Sequence, residues 1–168
     1  MSYTYDHPRP SLTADICVFA IEGKKREILL VRRRNDPFKG CWALPGGFAD
    51  ENEPLEETAK RELMEESGVS GCDMTLSGVY SAPGRDPRGW VVSAAFLAEV
   101  NKKEITVCAG DDAADAAWFL IKEGEDGLYL LNGNIILPLG PENESCAFHL
   151  AFDHAKIISD ALCRLKSR

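Results

Sequence analysis

The chain has 168 residues, 45% hydrophobic and 27% charged, enough for one domain with its own core and too few for two ordinary ones. Nineteen Lys and Arg against 27 Asp and Glu leave a net charge of -8. Such a field repels nucleic acid and anionic membrane, so a phosphate substrate needs a local cation.

Residues 1–10 are polar, aromatic and proline-bearing, without the charged-then-apolar order of a secretory signal. They are expected to be a tail to a single domain over 11–168. The stretches 13–21 and 27–31, rich in Ile, Val, Leu and Phe, are expected to be strands of a hairpin turning through 22–26. A third strand leads into Leu44-Pro45-Gly46-Gly47. Residues 54–67 read as a helix, with Pro54 suited to the first turn and Gly68 as the stop. Residues 74–81, 90–100 and 116–121 are expected to be further strands, the second of them interior because it is apolar on both faces. Residues 146–166 repeat Phe148, Phe152, Ala155, Ile158 and Leu162 at helical spacing, with Arg164, Lys166 and Arg168 suiting the C-terminal end of the dipole. Strands flanked by helices predict an α/β sandwich. The longest apolar runs, such as 135–137, fall far short of the ~18 residues that span a membrane.

Six cysteines, at 17, 41, 72, 108, 146 and 163, are dispersed without a CxxC pair, which excludes a zinc ribbon or a thioredoxin-like motif. They are expected to be reduced thiols, in keeping with a cytoplasmic protein.

The helix from Pro54 carries the chemistry. With Leu55 at zero and about 100° per residue, Ala59 falls near 40° and Leu63 near 80°, an inward apolar stripe. Glu66 falls near 20° and Glu62 near -20°, inside that stripe, and Glu65, near -80°, borders it. An acidic helix is ordinarily a solvated surface, but here two carboxylates point where packing belongs. Converging, dehydrated carboxylates need cations, and hard oxygen ligands at this spacing suit Mg²⁺ or Mn²⁺. Gly46 and Gly47 let the backbone approach closely, and their carbonyls are candidate ligands as well.

Gly47, Glu53 and then Arg61-Glu62-Leu63-Met64-Glu65-Glu66-Ser67-Gly68-Val69 reproduce the Nudix box, Gx5Ex7REUxEExGU with U aliphatic, and the chain resembles a Nudix hydrolase. The resemblance implies an α/β/α sandwich with a mixed sheet and metal-assisted hydrolysis of a nucleoside diphosphate linked to another moiety. It makes Glu62 and Glu66 the principal metal ligands, with Glu65 assisting and the Gly46 carbonyl completing the shell. Arg61 would orient a helix carboxylate, and Gly47, Glu53 and Gly68 would support the box. The general base is left open among Glu65, Glu123, Glu125, Glu142 and Glu144.

Between two strands, Arg85-Asp86-Pro87-Arg88-Gly89 combines turn formers with two guanidinium forks suited to phosphate. With Gly110-Asp111-Asp112-Ala113-Ala114 and Leu150-Ala151-Phe152-Asp153-His154-Ala155, this stretch is similar to the bacterial ADP-ribose pyrophosphatase branch of the family. The substrate implied is ADP-ribose, with Arg85 and Arg88 binding it, and a homodimer is implied too. The alternatives are a nucleoside triphosphate pyrophosphatase and a non-catalytic ADP-ribose-binding module. Only 99 residues follow Val69, most of them needed to finish the domain, so a DNA-binding domain is not expected. His154 is expected to be a packed or hydrogen-bonded helix residue, and Trp90 to belong to the core.

Overall fold

The computed structural model describes residues 4–110, 113–140 and 150–166. The apolar runs near the N-terminus form the antiparallel pair β1 (Ser11–Glu22) and β2 (Lys25–Arg33). They are followed by β3 (Trp42–Ala43), β4 (Gly46–Phe48), α1 (Leu55–Ser67), β5 (Met74–Tyr80) and β6 (Val91–Val100). The chain then forms β7 (Ala113–Gly124), β8 (Gly127–Asn132), β9 (Ile135–Pro138) and α2 (His154–Lys166). One mixed sheet runs β5-β6-β1-β2-β7-β8-β9, with β1 and β6 parallel and the other pairs antiparallel. The interior position expected for the 90–100 strand is the one β6 occupies.

Alternation along β1 sorts the core into two layers. Ala14, Ile16 and Val18 face α1 through Ala59 and Leu63. Cys17 and Phe19 face α2 through Ile157, Ile158, Ala161 and Leu162. Both faces are therefore buried, which is why β1 carries no polar alternation between Ile16 and Ala20. Leu63 is fully buried, and its truncation to alanine costs about 2–5 kcal/mol. This is the α/β/α sandwich expected.

The site is placed by a splay between β1 and β2. They pair with each other only from Phe19↔Ile28 to Glu22↔Lys25. Beyond that, β4 takes the inner edge of β1 (Asp15↔Gly46) and β3 that of β2 (Arg32↔Trp42). Residues 44 and 45 cross the gap, so the expected third strand is two short pieces with a kink between them.

Several expectations are corrected. The strands β8 and β9 were not anticipated; their turns at 125–126 and 133–134 lie in a Glu-Asp-Gly and an Asn-Gly-Asn sequence, the second an ordinary hairpin signal. The last helix begins at His154, and residues 146–149 lie outside the described residues. Trp90 is 56% exposed rather than in the core: it stands one residue ahead of β6, with its carbonyl bonded to the Ser11 N–H and its ring outside the packed layers. Cys17, Cys72, Cys108 and Cys163 are free thiols, but Cys41 is disulfide-bonded, so the expectation of six reduced thiols does not hold. No helix among the described residues is long and apolar enough to cross a membrane.

Candidate active site

Pro54 enters α1 in extended conformation and Gly68 ends it at φ 72°, its N–H bonded to the Met64 carbonyl. That left-handed C-cap suits glycine. Between these ends the helical arithmetic holds. Ala59 and Leu63 are buried, Glu62 and Glu66 half-buried, and Glu65 exposed.

Glu62 and Glu66 face the β1–β2 splay, where a cleft of about 420 Å³ opens. The Gly46 N–H donates to Glu66 Oε2 at 3.0 Å, tying the kinked segment to the helix. A Cβ at Gly47 would strike the Glu62 carboxylate, and one at Gly46 would strike the Ala14 carbonyl. Only glycine lets strand, helix and carboxylate meet this closely.

Arg61 organises the outer side. Its Nε and Nη2 donate to the two Glu53 oxygens at 2.8 and 2.9 Å, and its Nη1 to Glu62 Oε1 at 2.7 Å and Glu65 Oε2 at 3.1 Å. Its Nη2 also donates to the Phe48 carbonyl at 3.0 Å. These bonds from Arg61, with further ones from the Asp50 N–H and the Thr58 hydroxyl, hold the Glu53 carboxyl at about 2. The inner carboxylates behave oppositely. Burial pushes Glu62 up, and it pushes Glu66 up to about 8, with the Glu62 charge adding to the effect against the Gly46 N–H. A carboxylate in that state is stabilised by any cation brought beside it.

The opposite wall carries guanidinium groups. The Arg85 side chain is 4% exposed and grips Asp153 with two bonds, Nε to Oδ2 at 2.9 Å and Nη2 to Oδ1 at 2.6 Å. Arg88 is similarly forked onto Asp86, at 3.0 and 2.6 Å, while its guanidinium lies over the Phe48 ring at 4.5 Å and the Phe152 ring at 5.1 Å. Arg33, at the end of β2, lies 4.9 Å over the same Phe152 ring. It donates to the carbonyls of Pro37 and Asn35, and no carboxylate among the described residues is within ion-pair distance of it. Burial and the charge of Arg88 pull its pKa down. Beneath both walls lies Asp15, accepting from the Ser93 hydroxyl, with Arg85 Nη2 at 3.8 Å and His154 Nε2 at 3.5 Å.

The fold thus brings Gly46, Gly47, Arg61, Glu62, Glu66, Arg85 and Arg88 to one cleft. Glu65 stands outside its lining, joined to it through Arg61, and Glu53 and Gly68 support the helix from outside. Glu123 lies ten residues along β7 from Ala113, about 33 Å for an extended strand, and Ala113 is the β7 residue paired with Arg33. Glu123 and neighbouring Glu125 are therefore remote from the cleft. Glu142 and Glu144 lie outside the described residues, as do Asp111 and Asp112. Arg33, Phe48 and Asp15 were not singled out from the sequence, and Phe152 was expected only as a position of the last helix and of the stretch that resembles the family. The Arg32-Arg33-Arg34 run was the available signal for the first.

The sandwich, with the box spanning the β4–α1 junction and its two inward carboxylates, defines the class. The Nudix domain family matches residues 11–136, and the chain belongs to it. The ADP-ribose pyrophosphatase of Methanocaldococcus jannaschii is 42% identical over 145 residues, which cover 86% of this chain and 71% of that protein. Among solved structures, a MutT/nudix family protein from Enterococcus faecalis matches with a TM-score of 0.87 at 33% identity, over 99% of this chain and 66% of that one. The Nudix domain of Shewanella oneidensis NrtR, in complex with ADP ribose, matches with a TM-score of 0.73 at 30% identity, over 96% of this chain and 94% of that one.

Proposed function

We propose that this Nudix protein hydrolyses the pyrophosphate bond of ADP-ribose, giving AMP and ribose 5-phosphate, with Mg²⁺ or Mn²⁺ as cofactor. The observation that carries the reading is the opposition of two half-buried carboxylates, Glu62 and Glu66, to a guanidinium wall across one cleft. The relatives named for ADP-ribose pyrophosphatase activity, or solved with ADP ribose, support the choice of substrate.

The donor set fits a hard divalent ion. Glu66 is held high by burial and by Glu62, a penalty that a cation between them removes. Among the described residues no three His, Cys, Asp or Glu side chains are grouped to hold an ion by themselves. Beside the two carboxylates, the Gly46 carbonyl would be a further oxygen donor, and Mg²⁺ ordinarily keeps water and substrate phosphate in its shell. A divalent ion held there by Glu62 and Glu66 would supply charge compensation for the diphosphate and a more acidic water as nucleophile. Arg61 orients Glu62 and holds Glu65 at the cleft margin, where Glu65 serves as ligand or base. Arg88 and Arg33 receive the phosphate and ribose oxygens, and Arg85 supplies further positive charge from beneath.

The partner is a small nucleotide; a homodimer is the proposed assembly. The test compares phosphatase-coupled phosphate release from ADP-ribose with release from a panel of nucleoside triphosphates. Release from ADP-ribose that needs Mg²⁺ supports the reading, whereas preference for a triphosphate moves the protein to the nucleotide-pool class. Tight ADP-ribose binding with no release would make it a binding module.

A further inference from the structure

The kinked segment between β3 and β4 is pinned at every residue. The Trp42 carbonyl accepts from Ala151 N–H at 2.8 Å, the Leu44 N–H donates to His154 Nδ1 at 2.9 Å, and the Pro45 carbonyl accepts from Ile16 N–H at 2.9 Å. The Gly46 N–H then reaches Glu66. Three of these bonds are made by backbone groups or by the box itself. The one at Leu44 depends on a side chain 110 residues away in sequence.

His154 is 3% exposed. Because a backbone N–H points at Nδ1, that nitrogen must present its lone pair, and the ring proton sits on Nε2, facing Asp15 Oδ1 at 3.5 Å. One imidazole thus joins α2, β1 and the segment that carries Gly46. Its neighbours Phe152 and Asp153 meet Arg33, Arg88 and Arg85 on the other wall, so the α2 N-terminus touches both halves of the site.

We propose that His154 is a positioning residue for the ion-holding corner, acting through Leu44 and Pro45 to fix where Gly46 meets Glu66. The inference rests on the reading of Gly46 and Glu66 as part of the metal site. His154 itself touches neither ion nor substrate. Its Nδ1 acceptor sets the backbone register of residues 44–46, and through it the direction of the Gly46 N–H and carbonyl. Partners that orient metal ligands typically change metal affinity by about 10- to 100-fold when removed.

The test uses His154→Ala, His154→Asn and His154→Gln in the full chain. Two quantities are measured: amide exchange at Leu44 and Gly46 in chelator, and Mn²⁺ affinity by electron paramagnetic resonance. In His154→Ala both amides are expected to exchange at least about tenfold faster, with Mn²⁺ affinity reduced about tenfold. Asparagine places its Oδ1 where Nδ1 was and restores both readouts. Glutamine carries its acceptor one bond further and restores neither. Wild-type exchange at Gly46 in His154→Ala overturns the proposal, as does rescue by glutamine equal to that by asparagine. If alanine prevents folding, the asparagine–glutamine contrast decides alone. Should the wild type bind no Mn²⁺, the metal reading fails, while exchange at Gly46 still decides whether His154 positions it.

Discussion

The two walls of the cleft are built in opposite ways. The acidic wall comes from one stretch, Gly46 to Gly68, in which a strand, a turn and a helix place Glu62 and Glu66 side by side. The guanidinium wall is collected from the end of β2, the loop after β5, Phe48 of β4 and the residues before α2. In the first, spacing along one helix sets the geometry. In the second, the sheet order does, because Arg33 and Phe152 meet only after β3 has been laid beside β2 and Leu150 bridged to Trp42. On the proposed function, the local wall would hold the ion and the assembled wall would choose what is cleaved.

If that division holds, the largest loss comes from the acidic wall and falls on turnover. Glu62→Gln and Glu66→Gln keep shape, the second also keeping an oxygen for the Gly46 N–H, but remove the charge that would hold the cation. Several kcal/mol of transition-state stabilisation go with it, about a thousandfold in kcat. Circular dichroism should show the fold retained. Full activity of either variant, or of the wild type in excess chelator, breaks the comparison at its first term.

The second effect separates two arginines that look equivalent in sequence. The Arg85 side chain is buried and doubly bonded to Asp153, so Arg85→Ala leaves Asp153 and Asp15 without that guanidinium. The expected cost is about 3 kcal/mol of stability, read by denaturant midpoint. Arg33→Gln removes a guanidinium that has no carboxylate within ion-pair distance among the described residues, so the protein should stay folded. Its loss should appear in KM for ADP-ribose, roughly ten- to a hundredfold. A destabilised Arg33 variant with unchanged KM, or an unperturbed Arg85 variant, would exchange their roles.

This contrast also explains what could be read in the sequence. The helical angles of Glu62 and Glu66 are a property of twelve consecutive residues, and the structure keeps them. Arg85 and Arg88 were recognisable as guanidinium groups in a turn. Their partners were not, because Asp153 and Phe152 lie more than sixty residues on and meet them only through tertiary packing. Arg33 was hidden for the same reason: a run of three arginines closing a strand does not say which one turns into a cleft. His154 was expected to be packed or hydrogen-bonded and is both, but its link to Leu44 depends on how the chain before α2 docks against β3. Trp90 fails differently. Its place beside an interior strand suggests burial, and being one residue ahead of that strand leaves it in solvent.

The smallest predicted effect tests whether the acidic wall is strained without its ion. Glu66 has a folded pKa of about 8, raised mainly by burial, against about 4.3 in an unfolded chain. Between those values the folded state retains a proton that the unfolded state releases. Stability from this group is therefore full below about pH 4.3 and is lost as pH rises toward 8. Glu66→Gln carries no such dependence and keeps an oxygen for the Gly46 N–H. In chelator at pH 8 it should melt above the wild type by roughly 2–4 °C for each kcal/mol relieved, and the difference should close as pH falls toward 4. Adding Mg²⁺ at pH 8 should reverse the order, since only the wild type then gains the free energy of binding an ion to the folded state. A melting difference that ignores both pH and Mg²⁺ would mean that Glu66 is an ordinary packed side chain and that the ion is held elsewhere.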